Sequence, residues 1–273
     1  MTAPKWLASF GLTESPFDKQ IPDEKLWLPS SRKALVAELV DAVRERHHIL
    51  LYGEPGVGKT CTLRALRHRL PDAGFRLTYC HNATLGRRDF YRQLCLALGL
   101  NPKATAAAVF FAISSHVQEL GRSLVHPVLL LDEAHLLHQD VLEHLHVLSN
   151  YEWDSAPLLS LVLVGLPELG ERMQLRKNRS LWSRIHTRLS LGEALAVDTT
   201  EYVAYRTKRA GADHELFSSD ALAMLHEATA GRLRDIDRVA TWALKAAARK
   251  KLRLVDRELV ELVLEDQRVE AAA

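Results

Sequence analysis

The stretch Gly53-Glu54-Pro55-Gly56-Val57-Gly58-Lys59-Thr60 fits the pattern G-x-x-x-x-G-K-S/T. The apolar run His48-Ile49-Leu50-Leu51-Tyr52 stands before it as a short buried strand, and Thr60 to Leu70 follows as a helix. That is the context in which the pattern has a mechanism. The glycines let the backbone curl until successive N–H groups point at phosphate oxygens, and the new helix adds the positive end of its dipole. Lys59 is expected to reach the β and γ phosphates and the Thr60 hydroxyl to ligate Mg²⁺, with Gly53 through Cys61 lining the nucleotide. The cofactors read from this stretch are ATP and Mg²⁺.

Outward from it, apolar strand runs alternate with helical spacing. A helix runs from Ser31 to near His47, strands from Phe75 to Cys80, Val128 to Leu131 and Leu158 to Val164, and helices from Phe90 to Leu98, Thr105 to Leu120 and Gln139 to Leu148. Short apolar runs between helices are the mark of a parallel sheet covered on both faces. After Gly192 the strand-like runs stop, and helical stretches follow at Thr200–Arg209, Asp220–Ala230, Asp235–Arg249 and Arg257–Leu264. Before residue 30, Pro4, Pro16, Pro22 and Pro29 are interleaved with Trp6, Phe10, Phe17 and Trp27, which suggests an extended strap pinned by aromatic anchors. The expected organisation is an N-terminal strap and helix over 1–45, an α/β nucleotide-binding domain over 46–192 and a small all-helical lid over 193–273.

A phosphate cradle needs a carboxylate for the metal and another to activate water. Leu129-Leu130-Leu131-Asp132-Glu133 supplies both: Asp132 closes a buried strand and meets Mg²⁺ through water, and Glu133 is placed to polarise the attacking water. Two acids at a strand-to-helix turn also serve as helix caps. Asn82 follows the second strand, where its amide either holds Glu133 off its water or serves the local turn.

Of 273 residues, 47% are hydrophobic and 26% charged, an ordinary globular balance that excludes wholesale disorder. The longest apolar run, Leu158 to Leu166, is broken by Ser160 and far short of the ~20 residues a membrane helix needs. Met1 to Leu12 carries no apolar block with a cleavage site, so a cytoplasmic location with no membrane partner is expected. Cys61, Cys80 and Cys95 lack metal or disulfide spacing and read as reduced thiols. The net charge of +2 conceals segregation: Glu171–Arg188 holds six basic residues against one acidic, and Arg232–Arg253 eight against two, both candidates for polyanion contact.

Asp132-Glu133-Ala134-His135 also spells the second motif of one helicase superfamily. Such helicases need a second nucleotide-fold domain, and neither the length nor the sequence after Gly192 provides one. Of His135, His138, His144 and His146, only the first two share a helix-turn spacing, which favours core or solvated roles over a metal site.

Taken in order, Phe10-Gly-Leu with Pro16-Phe17, Gly53 to Thr60, Leu131 to His135, Gly165-Leu-Pro-Glu-Leu169, Arg184-Ile185, Ala210-Gly211 with Leu216-Phe217, and Gly231 to Arg234 resemble the AAA+ superfamily, and more closely its ExeA/TniB/TnsC-type ATPases. The resemblance implies that Arg184 is an arginine finger offered to a neighbouring subunit, with Arg188, one helical turn on, as second choice. It implies that Arg234 is a sensor arginine for the nucleotide of its own subunit. Guanidinium forks suit a transition state whose charge is spread over equatorial oxygens. The family usually carries glutamine after Gly165, where this chain has Leu166, which leaves the sensing hydrogen bond there without its side chain.

A finger supplied in trans implies a homo-oligomeric ring or filament. Duplex DNA is the expected polyanion, with Arg87, Arg88, Arg172, Arg176, Lys177 and Arg179 as candidate contacts and the helical stripe Arg238, Trp242, Lys245 and Arg249 as another. The adenine contact is left between Phe17 and Trp27. The function the resemblance implies is a transposition ATPase that assembles on DNA and recruits or regulates a transposase. An ExeA-like secretion-assembly ATPase and a nucleotide-gated scaffold with little turnover are the alternatives.

Overall fold

The computed structural model describes residues 4–81, 84–151 and 155–272, with side chains as far as 267. By internal contacts the chain parts into two units. One gathers residues 30–54 and 59–191; the other gathers 1–29, 55–58 and 192–273. The anticipated segment 1–45 is thus divided. Its helix, Ser30–Arg44, buries Val36, Leu39, Val40 and Val43 in the first unit, whereas the strap anchors Leu7, Phe10, Leu12 and Phe17 join the core of the second. The strap also carries a helical turn at Lys5–Ala8 and a 3-10 turn at Asp23–Lys25, where extended chain was expected.

The first unit is built on five strands: β1 (His48–Tyr52), β2 (Phe75–Cys80), β3 (His126–Leu131), β4 (Ser160–Gly165) and β5 (Ile185–Ser190). They are all parallel, in the order β2-β3-β4-β1-β5. Every residue of β3 and β4 is buried, as expected of central strands covered on both faces. β5 is absent from the sequence reading. Its residues Ile-His-Thr-Arg-Leu-Ser alternate, only Ile185 and Leu189 are buried, and the strand pairs on one side only, with β1.

Because the strands are parallel, Tyr52 lies beside Gly165 and Leu131 beside Leu163, so the turns after β1, β3 and β4 open at one edge. That carboxyl edge, where chain order reverses across the sheet, is the usual ligand position of such folds. The core cluster covering the sheet includes Leu94, Ile113, Leu129, Leu142, Leu145 and Leu163.

The second unit is helical: Ala196–Arg209, Ser219–Thr229, Leu233–Arg249 and Arg257–Ala272 pack around Val203, Leu225, Ile236, Leu244 and Val260. Among the described residues no helix is long and apolar enough to cross a membrane.

Candidate functional site

The Gly53–Thr60 loop begins where β1 ends, its first N–H donating to the Gly165 carbonyl at 3.2 Å. Gly56 and Gly58 have φ of +84° and +106°. L side chains rarely adopt that region, so the two glycines are what allow the chain to curl here. Lys59 opens the Lys59–Arg69 helix and is only 8% exposed. Its Nζ donates to the carbonyls of Gly53 at 2.7 Å and Glu54 at 3.0 Å, which folds the ammonium back over the loop. Thr60 is exposed. Glycines with positive φ, a helix start and a buried ammonium are the donor set of a nucleotide phosphate chain, and the residues fit that group.

Asp132 follows β3 and is 5% exposed. Its Oδ1 accepts the Glu133 N–H at 2.9 Å, and its Oδ2 accepts the Tyr79 hydroxyl at 2.7 Å. Its own N–H donates to the Cys80 carbonyl at 2.9 Å, which ties the turn to β2. A carboxylate offers about four lone-pair sites, so both oxygens still have room for metal-bound water. Tyr79 was not among the expected site residues. Although the residue is 47% exposed, desolvation of its hydroxyl and then the Asp132 carboxylate hold its phenol above the usual tyrosine range, so it donates at any physiological pH. Glu133 sits at φ +53°, ψ +34° with its side chain half exposed. A non-glycine residue in the left-handed region is strained, and such strain concentrates at functional sites. Asn82 lies outside the described residues.

His135 belongs to this turn. Its Nδ1 is 3.6 Å from Glu133 Oε2 and receives the Leu166 N–H at 3.4 Å. A Cβ at Gly165 would lie 2.9 Å from Leu169 Cδ2 and 3.1 Å from the His135 backbone nitrogen, so a side chain there would push Leu169 and crowd this turn. Elsewhere, His144 bonds the Tyr91 hydroxyl at 2.8 Å and His138 bonds Asp140 at 2.7 Å.

The expected polyanion contacts separate. Arg87 and Arg88, at the start of the Arg87–Ala97 helix, and Arg176, Lys177 and Arg179 are exposed. Arg172 turns inward: its guanidinium donates to the His135 carbonyl and, at 2.9 Å, to that of Leu137, so it braces the Asp132–Leu137 turn. Its distance in sequence from that turn hid this role. Arg184 NH1 donates to the Ser180 carbonyl at 3.0 Å. Arg188 lies on β5 with its guanidinium 3.7 Å above the Trp182 ring. The helical turn expected between these two arginines is therefore a strand. Arg234, exposed, donates its N–H to the Gly56 carbonyl at 3.2 Å.

Comparisons with known proteins agree with this geometry. Residues 42–173 match the family described as AAA domain. General secretion pathway protein A of Aeromonas hydrophila is 32% identical over 241 residues, 87% of this chain and 44% of that protein. The chain thus spans less than half of that relative's length. Among solved structures, Cdc6p from Pyrobaculum aerophilum superposes with a TM-score of 0.71 at 19% identity, covering 89% of this chain and 68% of that one. The Aeropyrum pernix ORC1 protein in complex with DNA gives 0.65 at 20% identity, covering 90% and 68%. At such identities the likeness speaks for the fold alone. The loop, the paired carboxylates, the strand order and the matched residues together give this chain the AAA P-loop fold, similar over residues 42–173 to the AAA domain family and, over 241 residues, to general secretion pathway protein A.

Proposed function

We propose that this chain binds ATP in the Gly53–Thr60 loop and hydrolyses it with Glu133 as general base. The observation that carries the reading is the pairing, at one edge of the sheet, of a positive-φ glycine loop around Lys59 with a buried, doubly hydrogen-bonded Asp132 next to an exposed Glu133. Thr60 and, through water, Asp132 would hold Mg²⁺, whose charge offsets that of the phosphate oxygens. Lys59 orients the phosphates, Asp132 is held by Tyr79 and the Glu133 N–H, and the Glu133 carboxylate takes the proton of the attacking water. Arg184, with Arg188 as the alternative, is proposed as the finger for a neighbouring copy, and Arg234 as the sensor in cis. Assembly into a ring or filament would then follow ATP binding.

Turnover assays test this. Glu133→Gln should lower kcat by about 10²–10⁴-fold while ATP still binds. Unchanged turnover in that variant would overturn the assignment.

Two uses of the hydrolysis are proposed, both in the cytoplasm. In the first, copies assemble on duplex DNA through the exposed Arg87, Arg88, Arg176, Lys177 and Arg179 and recruit or regulate a transposase, a use supported by the family resemblance. The second, assembly of a secretion machine, is favoured by the 32% identity to general secretion pathway protein A. Turnover stimulated by duplex DNA, with a steep loss at higher salt, supports the first; turnover indifferent to DNA supports the second.

A further inference from the structure

The turn after β3 does not close on its own hydrogen bonds alone. The Leu136 N–H donates to the Glu133 carbonyl at 2.9 Å and the Leu137 N–H to that of Ala134 at 3.2 Å. The carbonyls of His135 and Leu137 are taken from outside the turn. Arg172, on the Pro167–Gln174 helix that follows β4, donates to both with the two ends of one guanidinium. A planar fork on two carbonyls fixes their separation and direction, which a point-like ammonium does not. This matters for Glu133, whose backbone sits at φ +53°, ψ +34°. A non-glycine residue keeps such a conformation only where its surroundings over-determine it.

Arg172 is held in turn. Asn178, 1% exposed, donates its Nδ2 to the Arg172 carbonyl at 2.7 Å, and its Oδ1 accepts the Gln139 Nε2 at 2.7 Å. Gln139 opens the Gln139–Leu148 helix, which carries the chain on from the turn. One side-chain amide therefore ties the helix after β4 to the helix after the turn. Asn178 also stands directly before the helical turn Arg179–Trp182, and Arg184 lies two residues past it.

We infer that Arg172 and Asn178 are positioning residues for Glu133: the guanidinium fork holds the left-handed turn that aims the carboxylate, and the Asn178 amide anchors the fork to the segment leading to Arg184. The inference rests on Glu133 being the base. It places the base and the proposed finger segment on one hydrogen-bonded frame, so a displacement of that segment against a neighbouring copy reaches Glu133 through two side chains.

The test uses the full chain and compares wild type, Arg172→Met and Asn178→Ala, each alone and combined with Glu133→Gln. It measures kcat, ATP Kd and, without nucleotide, amide hydrogen exchange over residues 133–137. Arg172→Met should lower kcat about tenfold or more and Asn178→Ala about threefold or more, with Kd changed less than about threefold. Exchange over 133–137 should quicken about tenfold in Arg172→Met. In the Glu133→Gln background neither change should lower the residual rate more than about twofold, because a group that acts through the carboxylate then has nothing to position. Wild-type kcat or wild-type exchange in Arg172→Met, a Kd loss matching the kcat loss, or the full further loss in the Glu133→Gln background each overturns the inference. If Arg172→Met does not fold, Asn178→Ala decides, and wild-type kcat or wild-type exchange there overturns it. A wild type without turnover fails the ATPase reading instead, and exchange over 133–137 still decides whether the fork holds the turn.

Discussion

The sheet unit and the helical unit bury polar groups in opposite ways. In the sheet unit the central strands β3 and β4 are apolar past their first residues, and a buried pair such as His126 with Ser160, 2.9 Å apart, sits at strand starts, away from the carboxyl edge. In the helical unit a charged network lies within the core. Arg206, 5% exposed, donates to the carbonyls of Pro16 and Asp18 at 2.6 Å each and to the Tyr202 hydroxyl at 2.5 Å. It faces Asp237 at 3.8 Å, and Tyr202 donates to Asp237 at 2.6 Å. One unit is ordered by burying hydrocarbon. The other adds to its hydrocarbon core a buried guanidinium that pins the proline-rich strap.

The largest effect follows from breaking that network. Arg206→Met should cost the helical unit about 3–5 kcal/mol, because it removes the cation facing the partly buried Asp237 carboxylate and leaves two strap carbonyls without their donor. Urea unfolding measures the loss, and proteolysis near Asp18 reports release of the strap. The double variant Arg206→Met, Asp237→Leu should recover part of it. If Arg206→Met costs no more than a surface change, the network does not hold the strap.

Gly231→Ala comes next. Gly231 sits at φ +70°, and a Cβ there would lie 2.1 Å from the Ala194 carbonyl oxygen. We expect about 2–4 kcal/mol of destabilisation, combining left-handed strain with a backbone clash. A thermal midpoint equal to wild type would contradict the geometry.

The smallest effect separates the units by pH. Burial, then Arg46, lowers the His126 imidazole to about 4 from 6.5. A depressed histidine binds its proton first in the unfolded chain, so its stability is present above 6.5 and is lost as pH falls towards 4, up to about 3 kcal/mol. Asp237 runs the other way. Burial raises it to about 6 despite Arg206 and Tyr202, so the folded state keeps its proton longer and stability falls as pH rises through that value. Urea titrations at pH 7 and 5 should show His126→Gln losing the acid-side decline and Asp237→Asn losing the opposing gain. Equal slopes in wild type and both variants would remove the contrast.

Much of the sheet unit was readable without coordinates. The bounds of β1 and β2 and of the Gln139–Leu148 helix agree with the periodicity, because apolar runs and turn residues act locally. β5 was not readable: an edge strand with one buried face and charged alternate residues looks like a loop. The phosphate loop is legible because all its groups are contiguous. Tyr79 is 53 residues from Asp132 and His135 is 31 from Leu166, so no local pattern could pair them.

The sequence by itself determined the strand-loop-helix around Lys59, the two carboxylates after β3 and the change from alternating elements to helices after Gly192. The first two are encoded within about a dozen residues each and the third in the period of each successive stretch, where backbone sterics and side-chain period decide. Only the tertiary structure decided that Tyr79 clamps Asp132, that Arg172 braces the Asp132–Leu137 turn, that His135 stands between Glu133 and Leu166, and that the strap joins the helical core through Arg206. Those choices depend on the parallel stacking of β2, β3 and β4 and on buried polar groups finding partners wherever the folded chain brings them.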